Sequence, residues 1–219
     1  MIRRFSLIAA LLLAACGPRE LAPPQQEVAA GEWTNPGGDA GKTRHSALTQ
    51  ITPGNVARLG LAWEAQLGTN RVLEATPVVT GGVMYTSGPA GRVWAFDAAS
   101  GKQLWAFEPQ VDMQVNRTVC CDMANRGVAV APDGKGGAKV YVAALDGWLY
   151  ALDARSGAVV WKADTIEDRT RGGNSTGAPE VAGGVVVIGN GGADYDARGD
   201  VSAWDLATGR FKWRFHVVP

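Results

Sequence analysis

The sequence has 219 residues, with 21 basic and 21 acidic side chains, 46% hydrophobic residues, 29 glycines and 8 tryptophans. Zero formal net charge removes the basic footprint of a nucleic-acid binder, so nucleic acid is not an expected partner. Sparse charge and high apolar content exclude a disordered chain, glycine without a three-residue period excludes collagen, and a globular chain with a large packed core remains.

Residues 1–16, MIRRFSLIAALLLAAC, begin with Arg3 and Arg4, continue through an apolar stretch at 5–15 and place small residues before Cys16. That is the pattern of an export signal. As a helix the apolar stretch would extend only about 16 Å against roughly 30 Å of hydrocarbon, too short for a permanent span. Leu13-Ala14-Ala15-Cys16 also resembles the bacterial lipobox, which implies that Cys16 becomes the lipidated first residue of the mature protein and holds it to a membrane. Residues 17–30 are rich in proline and glutamine without apolar periodicity and read as a tether, so the folded domain is expected over 31–219.

Within that domain three stretches align: GRVWAFDAASGKQLWAF (91–107), GWLYALDARSGAVVWKA (147–163) and GDVSAWDLATGRFKWRF (199–215). Each carries Asp, two residues, Ser or Thr, then Gly, and closes on a tryptophan: Trp105, Trp161 or Trp213. The residues before Asp alternate or are mostly apolar, Asp can hydrogen-bond a turn backbone, and Gly supplies positive φ, so each stretch predicts a hairpin. LGLAWEAQLG (59–68) is expected to be an earlier strand that contributes Trp63. Tryptophans then recur at intervals of 42, 56 and 52 residues, the period of a four-stranded propeller blade. An all-β propeller follows, in which the tryptophans dock one blade on the next. Four blade-sized units fit after residue 31, and with no closing strand recognisable before Pro219 the chain reads as the front part of a longer propeller.

Between the first two hairpins lies TVCCDMANRGVAV, residues 118–130. With Cys16 lipidated, Cys120 and Cys121 are the remaining cysteines, an even number in an oxidising compartment. Count alone leaves a disulfide, two buried thiols or a zinc site open, and the last lacks partner ligands nearby.

Cys120-Cys121-Asp122-Met123-Ala124-Asn125-Arg126-Gly127 resembles the signature of the alcohol dehydrogenases that use pyrroloquinoline quinone (PQQ), including the methanol and ethanol enzymes, and the tryptophan repeats are similar to theirs over residues 31–219. The resemblance implies an eight-bladed propeller with the quinone in a central pocket, of which this chain supplies about the first four blades. It implies a disulfide between Cys120 and Cys121 lying flat against one face of the cofactor. It also implies that Arg126 grips one of the three PQQ carboxylates, a role suited to a permanently charged, bidentate side chain.

NSTGAPEVAGGVVVIGNGGADYDARG, residues 174–199, resembles a second cofactor segment of the family. Carried onto this chain, Thr176 would hydrogen-bond a PQQ carboxylate, backbone N–H groups of Gly192 and Ala193 would bond another, and Gly191 of the same small-residue run would also lie against the cofactor. Asp194 stands where the family places a glutamate ligand to its metal, calcium or a lanthanide. A hard cation accepts either carboxylate, but Asp reaches one methylene less far, a departure that bears on the metal geometry. Glu74, in LEATPVV, takes the place of a family glutamate that hydrogen-bonds a quinone substituent.

The resemblance implies a periplasmic, lipid-anchored enzyme in which hydride passes from an alcohol to PQQ and electrons leave to a cytochrome c. The family's catalytic aspartate, a metal-binding asparagine and a second arginine belong to blades after residue 219, so no catalytic base is named in this chain. No Cys-x-x-Cys-His occurs in the sequence, which leaves the haem-bearing branch of the family without support here. His45 and His216 carry no motif and are expected to be ordinary surface or loop residues. Lipid-anchored propellers of similar repeats also serve as scaffolds in outer-membrane protein assembly, a non-catalytic alternative that gives no reason for the Cys-Cys-Asp-x-x-Asn-Arg motif.

Overall fold

The computed structural model describes residues 31–219; the expected export signal, Cys16 and the tether expected over 17–30 lie outside the described residues. Twelve strands form three four-stranded antiparallel sheets, each a meander of neighbours in sequence. The first holds β1 (Val78–Thr80), β2 (Val83–Ser87), β3 (Val93–Asp97) and β4 (Gln103–Phe107). The second holds β5 (Ala129–Pro132), β6 (Ala138–Ala143), β7 (Trp148–Asp153) and β8 (Val159–Asp164). The third holds β9 (Glu180–Ala182), β10 (Val185–Gly189), β11 (Asp200–Asp205) and β12 (Phe211–His216). The first strands of successive sheets, β1, β5 and β9, lie side by side, so the sheets radiate as propeller blades with β4, β8 and β12 outermost. No helix of the described residues is long and apolar enough to cross a membrane.

Each repeat forms the hairpin of its blade's third and fourth strands. Asp97, Asp153 and Asp205 each accept from the backbone N–H and the hydroxyl of the Ser or Thr three residues on, at 2.6–2.9 Å. Gly101, Gly157 and Gly209 close these turns at φ of 71°, 72° and 70°. The same glycines do a second job. A Cβ on Gly101 would lie 2.5 Å from the Trp63 ring, one on Gly157 2.7 Å from Trp105, and one on Gly209 2.6 Å from Trp161. The turn of one blade is therefore the seat for the tryptophan of the blade before. Each indole N–H then donates into the seat: Trp63 to Ala98 O at 3.1 Å, Trp105 to Ala154 O at 2.9 Å and Trp161 to Leu206 O at 3.4 Å.

Two apolar clusters fill the spaces between blades. Tyr85, Ala95 and Trp105 pack with Val142, Tyr150 and Leu152 across the first space, and Tyr141, Leu149 and Trp161 with Val186, Ile188 and Trp204 across the second. Trp213 is 44% exposed beside the exposed Phe211 and Phe215, because no further seat follows it among the described residues.

The strand expected over 59–68 is not formed. That segment takes no regular structure, because no neighbouring strand pairs with it among the described residues, and a strand is defined by its partner's hydrogen bonds. Trp63 nevertheless docks as Trp105 and Trp161 do, so three docked tryptophans accompany three complete sheets among the described residues.

Hydrogen bonds from Ser100, Ser156 and Thr208, first from the side chain, hold the Asp97, Asp153 and Asp205 carboxyls below their ordinary values. A depressed folded-state value gives stability that is present above the unfolded value of about 3.9 and is lost as pH falls below it and through the lower folded-state value. The thermal midpoint is therefore expected to fall below about pH 4, and a D97N/D153N/D205N variant to show a shallower fall than the parent in scans over the same range. Equal slopes for the two proteins would show that the turns do not contribute.

Candidate functional site

In an up-and-down blade the connection leaving the fourth strand and the loop between the second and third strands emerge at the same end. The β4–β5 connection (108–128), the β8–β9 connection (165–179) and the β10–β11 loop (190–199) therefore gather at one end of the blades. They contain most of the residues singled out from the sequence.

In the first connection Cys120 and Cys121 are joined as a disulfide with Cα atoms 3.8 Å apart; Cys120 is exposed and Cys121 half-buried. The chain then turns at Asp122 (φ 55°) and buries Met123, Ala124 and Asn125. Asn125, 1% exposed, locks this segment: its side-chain oxygen accepts from Ser87 Oγ at 2.6 Å and Gly127 N at 3.2 Å, and its amide donates to Ala143 O at 2.8 Å. With Asn125 held inside, Arg126 projects outward.

Arg126 is the hub of the site. Its backbone N–H donates to Thr176 O at 3.1 Å, its Nη1 donates to Thr176 Oγ1 at 2.7 Å, and its Nη2 lies 3.1 Å from Glu74 Oε2. Three residues from three separate stretches of sequence are thus in direct contact, on a guanidinium that remains 44% exposed toward solvent.

The glycine loop is fastened by Asn174, a residue to which sequence reasoning assigned no role. Asn174 is 4% exposed and exchanges backbone hydrogen bonds with Gly191 at 3.2 and 2.9 Å, while its side-chain amide donates to Thr118 O at 3.0 Å. One side chain so ties the disulfide connection to the loop that ends at Asp194. Gly192 sits at φ +104°, and a Cβ there would lie 2.0 Å from Gly172 O, so the tight approach of the two loops requires glycine.

Gly191 gives its N–H to Asn174 O. The Gly192 and Ala193 amides find no protein acceptor among the described residues, and adjacent free amides on a loop make an anion-binding concavity. The donors gathered at this end of the blades suit a small polycarboxylate: a fixed cation at Arg126, a hydroxyl at Thr176 and two free amides, with the disulfide on the same connection as Arg126. Asp194 is exposed in a short 3₁₀ turn, Ala193–Tyr195, and presents one carboxylate. A calcium ion takes about six to eight oxygens, so the Asp194 carboxylate alone would fill only a small part of such a shell.

His216 is not an ordinary surface residue. It lies half-buried on β12 with Nε2 3.5 Å from Glu167 Oε2, in a group of metal-ligating residue types completed by Asp200. Arg214 stands among them, 3.3 Å from Asp200 and 3.5 Å from Glu167, and supplies the positive charge a metal would bring. Burial, the largest effect, raises the Asp200 carboxyl despite this arginine. His45 is exposed, as expected.

A family profile described as the beta-propeller domain of PQQ-dependent glucose, ethanol and alcohol dehydrogenases matches residues 33–219. The chain is 49% identical over 205 residues to quinohemoprotein alcohol dehydrogenase ADH IIB of Pseudomonas putida, covering 94% of this chain and 29% of that protein. It is 48% identical over 177 residues to a 1-butanol dehydrogenase (cytochrome c) of Thauera butanivorans, covering 81% of this chain and 25% of the relative. Among solved structures, quinohemoprotein alcohol dehydrogenase ADHIIG of Pseudomonas putida HK5 superposes with a TM-score of 0.83 at 47% identity, over 87% of this chain and 27% of that one. The chain therefore spans between a quarter and three tenths of the length of the curated relatives it matches. From the repeat hairpins to the Cys-Cys-Asp-x-x-Asn-Arg motif, the chain belongs to the family of PQQ-dependent alcohol dehydrogenases and forms part of its β-propeller.

Proposed function

We propose that this chain provides one side of the cofactor seat of an alcohol-oxidising enzyme that uses PQQ. The observation that carries the reading is the convergence of Glu74, Thr176 and Arg126 on one exposed guanidinium. When bound, PQQ supplies the acceptor for the hydride of an alcohol C–H bond. The protein side of the work is placement. Arg126 binds one carboxylate of the cofactor while Thr176 Oγ1 holds the guanidinium at the right angle. The free amides of Gly192 and Ala193 receive a second carboxylate, and the Cys120–Cys121 disulfide offers a flat, polarizable surface to the ring. Glu74 balances the charge of Arg126 before the cofactor arrives. Asp194 supplies one carboxylate ligand to a calcium or lanthanide ion.

Export, attachment to the periplasmic side of a membrane through lipidated Cys16, and delivery of electrons to a cytochrome c complete the reading. Export and lipid rest on the pattern of residues 1–16, and the acceptor on the cytochrome c named for the Thauera relative. A non-catalytic scaffold would have no use for two free amides beside an exposed guanidinium and a disulfide.

The test is direct. The complete protein, reconstituted with PQQ and calcium, is expected to reduce an artificial redox dye when given a primary alcohol, and to lose that activity without PQQ. Bound quinone with no turnover on any alcohol would overturn the assignment.

A further inference from the structure

The disulfide turn is held from outside by a residue that touches neither sulfur. Asp122, directly after the bonded cysteines, adopts φ 55°, a left-handed conformation that costs a non-glycine residue free energy and needs support. Its inner side is supported by the next residue: Met123 is buried and its carbonyl accepts from Ala90 N at 2.8 Å. Its outer side is supported by Arg71, whose Nη1 donates to Asp122 Oδ1 at 2.7 Å from 51 positions away.

Arg71 lies three residues before Glu74, on the segment that also grips Arg126. Residues 71–74 and 122–126 are therefore joined twice, by Arg71 to Asp122 and by Glu74 to Arg126, with the polarity reversed between the pairs. A slip of three or four positions would bring Arg71 toward Arg126 in one direction or Glu74 toward Asp122 in the other, so two reversed pairs fix a register that one pair would leave free to slide. We infer that Arg71 is a positioning residue for the Cys120–Cys121 disulfide, acting through Asp122 to set the disulfide at a fixed place relative to Glu74 and Arg126. Its consequence for cofactor binding rests on the PQQ reading; its effect on the disulfide does not.

The experiment uses the full protein and follows reduction of Cys120–Cys121 by dithiothreitol, read by alkylation and mass spectrometry, alongside PQQ affinity by equilibrium dialysis. R71A and D122N are expected to be reduced about three-fold faster than the parent, in line with an exposed ion pair, and R71K to stay near the parent rate. D122N keeps a residue that accepts left-handed φ and so separates loss of charge from loss of conformation. The R71A/D122N double variant should be no faster than either single variant, and added salt should speed the parent while leaving R71A unchanged. PQQ should bind R71A about three-fold more weakly if the disulfide is its support. Parent-like reduction of R71A and D122N, or additive effects in the double variant, would overturn the inference. Altered reduction with no PQQ bound by any variant or the parent would uphold the clamp and sink the cofactor reading instead.

Discussion

Arg126→Ala is expected to weaken PQQ binding by about 100-fold, as read by equilibrium dialysis or by quenching of tryptophan fluorescence in the complete protein. Three losses combine. The charge-assisted contact to a ligand carboxylate disappears, a loss of about 1.5–3 kcal/mol for a hydrogen bond to a charged group. The Thr176 hydroxyl, now held by Nη1 at 2.7 Å, loses its partner and its orientation. Glu74, now 3.1 Å from Nη2, is left as an uncompensated anion facing an anionic cofactor. Arg126→Lys keeps the charge but cannot reach Thr176 and Glu74 together from one ammonium, so an intermediate loss of about ten-fold is expected. The Glu74 contribution separates cleanly: adding E74Q to R126A should recover part of the affinity, because the repulsion goes with the charge. Parent affinity in R126A would remove Arg126 from the seat.

Part of this site could be read from residues alone and part could not, and the difference lies in the range of the interactions. Asp to Ser or Thr to Gly is a local hydrogen-bonded turn, so Asp97, Asp153 and Asp205 announce their hairpins within five positions. That Gly157 must also leave room for Trp105 depends on a residue in another blade, and nothing near Gly157 signals it. The segment at 59–68 has the apolar spacing of a strand and a correctly docked tryptophan, but strand formation depends on a partner that local sequence does not contain. Arg126 on residue type alone is a surface arginine, and only its place in a family motif pointed to a ligand. Asn125 entered only as a letter of the family motif and Asn174 with no role, because a neutral amide matters through the distant backbone it reaches, here Ala143 and Thr118. The haem in the names of the Pseudomonas relatives has no counterpart motif in the 219 residues, so likeness across this propeller stretch does not discriminate the haem-bearing branch from the rest.

The largest stability effect is expected where turn and docking coincide. In Gly157→Ala the new methyl would sit 2.7 Å from Trp105 Cε3 and 2.9 Å from Cδ2, at a φ of +72°. The left-handed conformation costs an alanine about 1–2 kcal/mol, and forcing a methyl into a packed contact costs about 1–3 kcal/mol more. Trp105 cannot retreat, since it is 8% exposed, packs against Tyr85 and donates to Ala154 O at 2.9 Å. Trp105→Ala removes the ring from the inter-blade core and is expected to cost about 3–5 kcal/mol. Either change is large against a total stability of about 5–15 kcal/mol, so both should shift urea midpoints measurably and the purified protein should be assayed at low temperature. The G157A/W105A double variant decides whether glycine is a seat or only a turn. With the ring gone the methyl loses its closest contacts, so chiefly the left-handed cost of the G157A change remains and the double variant should be less destabilised than the sum by about 1–3 kcal/mol. Strict additivity would mean that Gly157 serves the turn alone and that the repeated Gly and Trp of this propeller are two independent features and not one joint.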